Sequence, residues 1–430
     1  MKKKLLSAIL SVSLLSVTLA GCASSEADNA VDTGETDSEI AQVDGNEQLE
    51  SGKVELRVWA EEADIECLQK MIDSFEQKYA GQAEFSITIE ASSEADARNN
   101  ILGDIHNAAD VFSMTDDQLY SLIASGALSP VANQDEIKNA NLADSVLAAS
   151  YNDTMYAYPF SADNGYFLYY NKKYLSESDV KTFDRILEVA AENEKKVTMD
   201  LSSGWYLYSF FGQTGLELGL NDDGVTNYCN WDSREGKIKG VDVAQALLDI
   251  TTNPGFTSAG DAGLIEGAKT DTCIAGVSGV WNAVSIQEIW GNDYAACKLP
   301  TYTCNGQQVQ MASFKGYKMF GVNAYSEHLG WAHKLADWIT NEENQTLRFE
   351  ERMQGPSNIN AASSDAVSKV PAIAAVIDQS QYGVLQRVGN SYWNACSTFA
   401  NTIIAGNPDN MPLQDLMDRL ANGIAASAVQ

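Results

Sequence analysis

The chain is predicted to fold as an α/β protein, and three observations carry that expectation. Residues 54–59 alternate apolar and polar at period two. The next stretch repeats apolar residues every three or four positions, and period two returns at 85–89. Strand, helix and strand in that rhythm imply crossover connections and a mostly parallel sheet. At 430 residues, two or three lobes are expected.

In chain order, Val54-Glu55-Leu56-Arg57-Val58-Trp59 reads as a strand. Ile65, Leu68, Met71, Ile72, Phe75 and Tyr79 line one face of a helix ending near Gly81, and Phe85, Ile87 and Ile89 alternate as a second strand. Asp110-Val111-Phe112 is a short buried strand, followed by a helix from Leu119 towards Ala127 that Gly126 stops. Asn152-Asp153 is the turn of a hairpin. Residues 182–195 are expected to be helical, 196–201 extended and 241–251 helical, which makes a second αβ unit. Ala332 to Glu351 reads as one amphipathic helix with Leu335, Trp338, Ile339 and Leu347 inward, ending before Gly355-Pro356.

The N-terminus reads as an address. Lys2, Lys3 and Lys4 precede an apolar run from Leu5 to Ala20, a secretory signal too short to span a bilayer comfortably. Leu19-Ala20-Gly21-Cys22 resembles the bacterial lipobox, in which Cys22 would be acylated and become the mature N-terminus; the alternative is a plain signal peptide with an incidental cysteine. Residues 23–53 carry nine acids, one lysine and no aromatic, and read as a disordered acidic tether. The expected location is the extracellular face of the bacterial cytoplasmic membrane, with the body held by a lipid anchor.

Composition narrows the function. With 28 Lys+Arg against 59 Asp+Glu, the formal charge of −31 repels phosphate backbones, so nucleic acid is excluded as a partner. Beyond Cys22 there are six cysteines: Cys67, Cys229, Cys273, Cys297, Cys304 and Cys396. Cys297 and Cys304 are near enough in sequence to bridge a hairpin, and six buried thiols are the other reading. No CxxC pair and no HExxH is present, so neither a metal site nor a cofactor is expected. Ser278 in Gly276-Val277-Ser278-Gly279 misses the nucleophile elbow, and no phosphate-cradling glycine loop occurs. The acids are too many to single out a glycosidase pair. A binding protein is favoured over an enzyme.

The aromatic residues sharpen this. Trp59, Trp331 and Trp338 fall on core positions. Trp205-Tyr206 after a Ser-Ser-Gly turn, Trp281-Asn282 after Gly279-Val280, Tyr392-Trp393 after Gly389-Asn390-Ser391, and Trp231 between Asn230 and Asp232 sit at element ends beside polar side chains. Rings in such settings suit a sugar, whose C–H face packs on the ring while its hydroxyls meet the polar rim.

The order of segments resembles the extracellular solute-binding proteins of bacterial ABC sugar importers, in the maltose/maltodextrin branch. The likeness runs over about residues 54 to 425. It is carried by Leu56-Arg57-Val58-Trp59, Ala109-Asp110-Val111-Phe112, Ala124-Ser125-Gly126-Ala127-Leu128, and Ala157-Tyr158-Pro159 with Leu168-Tyr169-Tyr170-Asn171-Lys172. Gly276-Val277-Ser278-Gly279-Val280-Trp281, Lys298-Leu299-Pro300, Ala336-Asp337-Trp338-Ile339 through Asn344-Gln345, and Tyr392-Trp393 complete it.

The resemblance implies a two-lobed periplasmic-binding-protein-like fold with an interlobe cleft and a hinge crossed three times, near Ala162, Pro300 and Met353. The first lobe would then comprise 54–162 with 301–353, and the second 163–300 with 354–430. Residue by residue, Trp205, Trp281 and Trp393 fall on sugar-stacking positions, with Tyr206 and Tyr392 beside them. Asp117 falls on a first-lobe acid that binds hydroxyls, Glu61 or Glu62 in the loop after the first strand, and Asp163 or Asn164 at the first crossing. Three departures stand out: Met114 replaces the first-lobe stacking Trp, Gln118 an Arg, and Ser203 a second-lobe acid. The expected ligand is an oligosaccharide of α-glucan type, delivered by a monomer to ABC transporter permease subunits. The alternatives are another oligosaccharide or a surface glycoside hydrolase.

Overall fold

A computed structural model describes residues 49–221 and 223–426. The signal segment, Cys22 and all but the last few residues of the acidic tether lie outside the described residues.

The first core grows from strand β1 (Lys53–Ala60), helix α1 (Ile65–Lys78) and strand β2 (Glu84–Ala91). The alternation predicted for β1 puts Val54, Leu56 and Val58 fully inside, and α1 buries Cys67, Leu68, Met71, Ile72 and Phe75 as one stripe. Gly81 closes the exit from α1 at φ +84°, in the left-handed region that favours glycine. Strand β3 (Val111–Thr115) pairs with β1 on the side opposite β2, both parallel. At the predicted hairpin, Asn152 and Asp153 both take positive φ, as a two-residue primed turn requires.

Strand β4 (Ala157–Asn171) carries the chain out of this core. Tyr158 and Phe160 belong to the first core, whereas Tyr166 and Leu168 belong to a second. That second core collects α2 (Phe183–Glu192), β5 (Lys196–Thr198), the short helix α3 (Gly204–Leu207), α4 (Gly240–Thr252) and β6 (Phe256–Thr257). Helix α5 (Asp261–Lys269), β7 (Cys273–Gly279) and β8 (Tyr294–Cys297) follow. Strand β9 (Ser313–Val322) returns to the first lobe, and α6 (Leu329–Ile339) and α7 (Glu342–Arg352) pack there. Helix α8 (Pro371–Ser380), β10 (Gly383–Leu385) and α9 (Ser391–Ile404) follow, and a last helix, α10 (Leu413–Ala425), closes the second core with Leu416, Met417, Leu420 and Ile424. One sheet runs through both lobes in the order β6-β5-β7-β4-β9-β3-β1-β2, with β8 against β4 and β10 against β9. The antiparallel strands β4 and β9 are therefore the two continuous links at its centre.

Four expectations are corrected. The amphipathic run 332–351 is two helices, because the Asn341 side chain accepts the Asn344 amide at 2.9 Å and starts a new helix where Thr340 ends the old one. The second crossing lies in β9, not near Pro300. Tyr302, Cys304, Val309, Met311 and Ala312 pack in the second core, while Tyr317 and Met319 pack in the first, so residues 301–312 stay with the second lobe. A hairpin, Thr301–Cys304 with Gln307–Gln310, folds that segment back before the chain crosses. Trp231, read as a loop-end ring, is fully buried and stacked on Phe211 at 3.9 Å. Cys297 and Cys304 do not bridge: all six cysteines described are free.

Candidate functional site

Where β4 and β9 pass between the cores, two groups of candidate residues assemble. The first is an aromatic wall on the second lobe. Trp205 opens α3, half-buried, with its ring 5.6 Å from Phe314 of β9 and inclined by 23°. Trp393, at the start of α9, tilts against the same Phe314 at 6.4 Å. Tyr166 and Tyr392 hold this arrangement from behind. The Tyr166 hydroxyl donates to the Trp205 carbonyl and the Tyr392 hydroxyl to the Gly204 carbonyl, each at 2.7 Å. Tyr206 packs on Tyr166 at 4.9 Å and is itself buried.

Trp281 stands apart from that wall. It follows β7, its ring lies over Gly279, and its indole N–H donates to Asp261 Oδ2 at 2.8 Å. A Cβ at Gly279 would meet the ring at 2.0 Å, so only glycine permits this placement. Asp261 also accepts from Ser278 Oγ at 2.7 Å, which assigns that serine to holding the Trp281 mount.

The second group is charged and comes mainly from the first lobe. Asp116 is fully buried, with Arg387 Nη1 3.4 Å from its Oδ2 and the Tyr317 amide donating to its Oδ1 at 2.9 Å. Burial lifts the Asp116 pKa to about 7; the Arg387 charge pulls down against this, and neighbouring Asp117 pushes it further up. Asp117 is half-buried and accepts from Thr115 Oγ1 at 2.6 Å, and burial raises its pKa too. Asn164 and Asp116 both crowd Gly316 of β9, where a Cβ would lie 2.6 Å from Asp116 Oδ1. Asp163 is buried, receives the Gly355 amide, and is raised by burial against the pull of Arg348. Glu61 Oε1 accepts the Glu94 amide at 2.8 Å, whereas Glu62 is exposed at the start of a turn of 3-10 helix.

Two candidates present no surface. Met114 sits inside the first core on β3, and Tyr392 is buried against Gly204 and Trp393, so neither side chain can touch a solute in this conformation. Both are corrected from contact to support: Met114 is enclosed because its strand is buried on both faces, and Tyr392 because its side chain turns into the second core.

Several residues of this region escaped sequence reasoning. Phe314 is the common surface behind Trp205 and Trp393. Lys318 of β9 lies 2.7 Å from Glu94 and 6.0 Å from the Trp281 ring. Arg98 Nη2 donates to Asn390 Oδ1 at 3.3 Å, joining a first-lobe helix to the turn before α9. Beneath them Arg348 pairs with Asp64 at 2.8 Å, and Arg352 adds a contact at 3.1 Å. Burial alone would raise the Asp64 carboxyl, but Arg348, Lys318 and Arg352 overcome it and hold its pKa at about 2. Only the basic residues' place in the β9 and α7 patterns could have flagged them, and a lysine or arginine there reads as solvent-facing until the partner is known.

His333 is buried between Ser129 and Tyr158, each 2.9 Å from a ring nitrogen, and desolvation lowers its pKa to about 4. Among the described residues no group of three or more His, Cys, Asp or Glu is placed to hold a metal ion.

Comparison with known proteins agrees with this architecture. The chain is similar to a maltodextrin binding protein from L. casei BL23, solved without ligand, at 25% identity and a TM-score of 0.74, over 87% of this chain and 100% of that one. It is 25% identical over 390 residues to the galactooligosaccharide-binding protein of Bacillus subtilis (strain 168), covering 86% of this chain and 89% of the relative. It is 24% identical over 389 residues to a maltooligosaccharide ABC transporter solute-binding lipoprotein of Streptococcus pneumoniae (strain ATCC BAA-255 / R6), covering 86% and 84%. These are solute-binding proteins, not enzymes. The family model for bacterial extracellular solute-binding proteins matches residues 70–375, and the chain belongs to that family.

Proposed function

We propose that this solute-binding protein captures an oligosaccharide between its lobes and delivers it to the permease of an ABC importer, anchored to the outer face of the cytoplasmic membrane through a lipid on Cys22. The observation that carries the reading is the joint presentation of Trp205 and Trp393 on Phe314. Flat π-faces take the C–H surface of a pyranose, and Asp117, Asn164 and Glu61 can exchange hydrogen bonds with its hydroxyls. Contacts to both lobes stabilise the closed form, and the permease reads that form. A neutral sugar pays no electrostatic penalty to approach so acidic a body.

Maltooligosaccharides are the leading ligand class. Galactooligosaccharides are the second, favoured by the B. subtilis relative's name. Isothermal calorimetry against maltose, maltotriose, maltotetraose and β-galactotriose tests this. Saturable heat with at least one, and no shortened sugar on prolonged incubation, is the expected result. Silence across the panel, or turnover, refutes it. Detergent partitioning of the full chain and of Cys22→Ser tests the anchor; equal behaviour of the two would dismiss it.

A further inference from the structure

The centre of the sheet has a break that sugar binding does not explain. Along one edge, β9 is paired by β3 as far as Lys318, opposite Thr115, and by β10 at Lys315, opposite Leu385. Gly316 and Tyr317 lie between, where the chain passes from one lobe to the other and neither strand covers that edge. Two side chains fill the gap. Asp116, the first residue beyond β3, accepts the Tyr317 amide at 2.9 Å in place of a strand carbonyl. Arg387, two residues beyond β10, donates to the Asp116 carbonyl at 2.7 Å and to the Ala148 carbonyl at 3.3 Å. Its guanidinium lies over the Tyr120 ring at 4.7 Å. Ala148 and Tyr120 belong to the first core, whereas Val388, next to Arg387, packs on the second. A swing of one lobe on the other at 316–317 therefore moves the guanidinium against the Asp116 carboxyl.

That carboxyl is held more loosely than its burial demands. It is fully enclosed, Arg387 Nη1 stands 3.4 Å from Oδ2, and Oδ2 has no hydrogen-bond partner among the described residues. Burial is the main force raising its pKa to about 7; Arg387 pulls against this, and Asp117 pushes the same way as burial. The other elements around it add little opposing charge. From β9 comes Tyr317, with Asp144 beside its hydroxyl, while Lys318 is held by Glu94; β4 presents the neutral Asn164, and Arg98 acts on Asp117. We propose that Asp116 and Arg387 form a proton-sensitive latch across the break in the sheet, which sets how firmly the lobes keep the arrangement seen here. The latch rests on the receptor reading, in which lobe movement accompanies sugar capture. An arrangement that draws Arg387 away admits water to Asp116 and returns its carboxyl towards the ordinary 3.8. The present arrangement therefore holds the proton more tightly. Its advantage is complete below the ordinary value, declines as pH rises, and is gone above about 7.

The test uses the full chain as wild type, Asp116→Asn, Arg387→Met and the double variant, each checked for folding by circular dichroism. Affinity for maltotriose, or for whichever sugar of the calorimetric panel binds, is measured from about pH 5 to about pH 8. Small-angle scattering of the same proteins, free and sugar-saturated, is recorded at both ends of that range. Wild-type affinity is expected to change at least about fivefold. It falls towards high pH if the sugar-bound protein scatters as this arrangement does, and rises if it does not; the opposite pairing overturns the latch. Asp116→Asn and the double variant should lack the change. Arg387→Met should keep it but move it to higher pH, because the charge that eases the proton off Asp116 is gone. Wild-type and Asp116→Asn profiles parallel within about twofold, or an Arg387→Met profile at unchanged pH, overturn the latch and leave the oligosaccharide reading intact. If Arg387→Met fails to fold, the Asp116→Asn comparison decides alone. A wild type that gives no heat with any sugar defeats the receptor reading, and scattering of the free protein then judges the latch. A radius of gyration that changes with pH in the wild type but not in Asp116→Asn sustains it, and equal behaviour of the two overturns it.

Discussion

The aromatic wall of the second lobe and the charged floor beside the hinge are built on opposite principles. Trp205, Phe314 and Trp393 meet through broad, weakly directional contacts with ring centroids 5.6 and 6.4 Å apart. Replacing one ring removes area and leaves the others in place. Asp64, Arg348, Glu94 and Lys318 meet through paired charges at 2.7–2.8 Å, nearly all withdrawn from solvent. There each group is tolerable only because its partner is present. The wall is therefore forgiving in stability, and the floor is not.

The largest effect that separates them is expected from Arg348→Met. It leaves Asp64 buried with only Arg352 beside it, and a single broken buried pair costs about 3–5 kcal/mol. Denaturant unfolding should show that loss; a change under about 1 kcal/mol would mean the floor tolerates truncation as the wall does. The next effect is in pH. The Asp64 pKa is held at about 2, below its ordinary 3.8, so the pair's contribution is complete above the ordinary value and disappears as pH falls through about 2. The amount is on the order of 2 kcal/mol. Unfolding midpoints measured downward from pH 5 should fall more steeply in the wild type than in Asp64→Asn, and parallel curves would contradict the assignment. The smallest effect on stability, and the most specific, is expected from Trp205→Ala. Loss of one stacked ring should weaken sugar binding at least about tenfold, roughly 1.4 kcal/mol, while costing less global stability than Arg348→Met. Unchanged calorimetric affinity would remove Trp205 from the site.

Periodic signals were legible because they are local. Strand β1, helix α1 and the Asn152-Asp153 turn follow from alternation, a three-to-four repeat and a pair of residues that tolerate positive φ. The run 332–351 misled for the same reason: its apolar spacing continues across Asn341, and only the side-chain cap shows that the backbone does not. Trp231 lies between polar neighbours yet stacks on Phe211, a contact across 20 residues that no window contains. At the site, the rings could be listed from their settings, but Met114 and Tyr392 turned inward and Lys318 turned to a buried carboxylate.

What the sequence by itself determined is the alphabet of the protein: an acidic secreted α/β body, rich in rings at element ends, ordered like a sugar receptor. Patterns of period two and three to four, charge balance and composition are sums over neighbours, so the chain states them outright. The tertiary structure alone decided that β9 rather than Pro300 carries the second crossing, that Trp205 and Trp393 share Phe314, and that Lys318 and Arg348 are buried among carboxylates. Each of these depends on residues far apart in the chain meeting in low-dielectric surroundings, where a charge is either paired or not tolerated, and that pairing exists only once the sheet has closed over it.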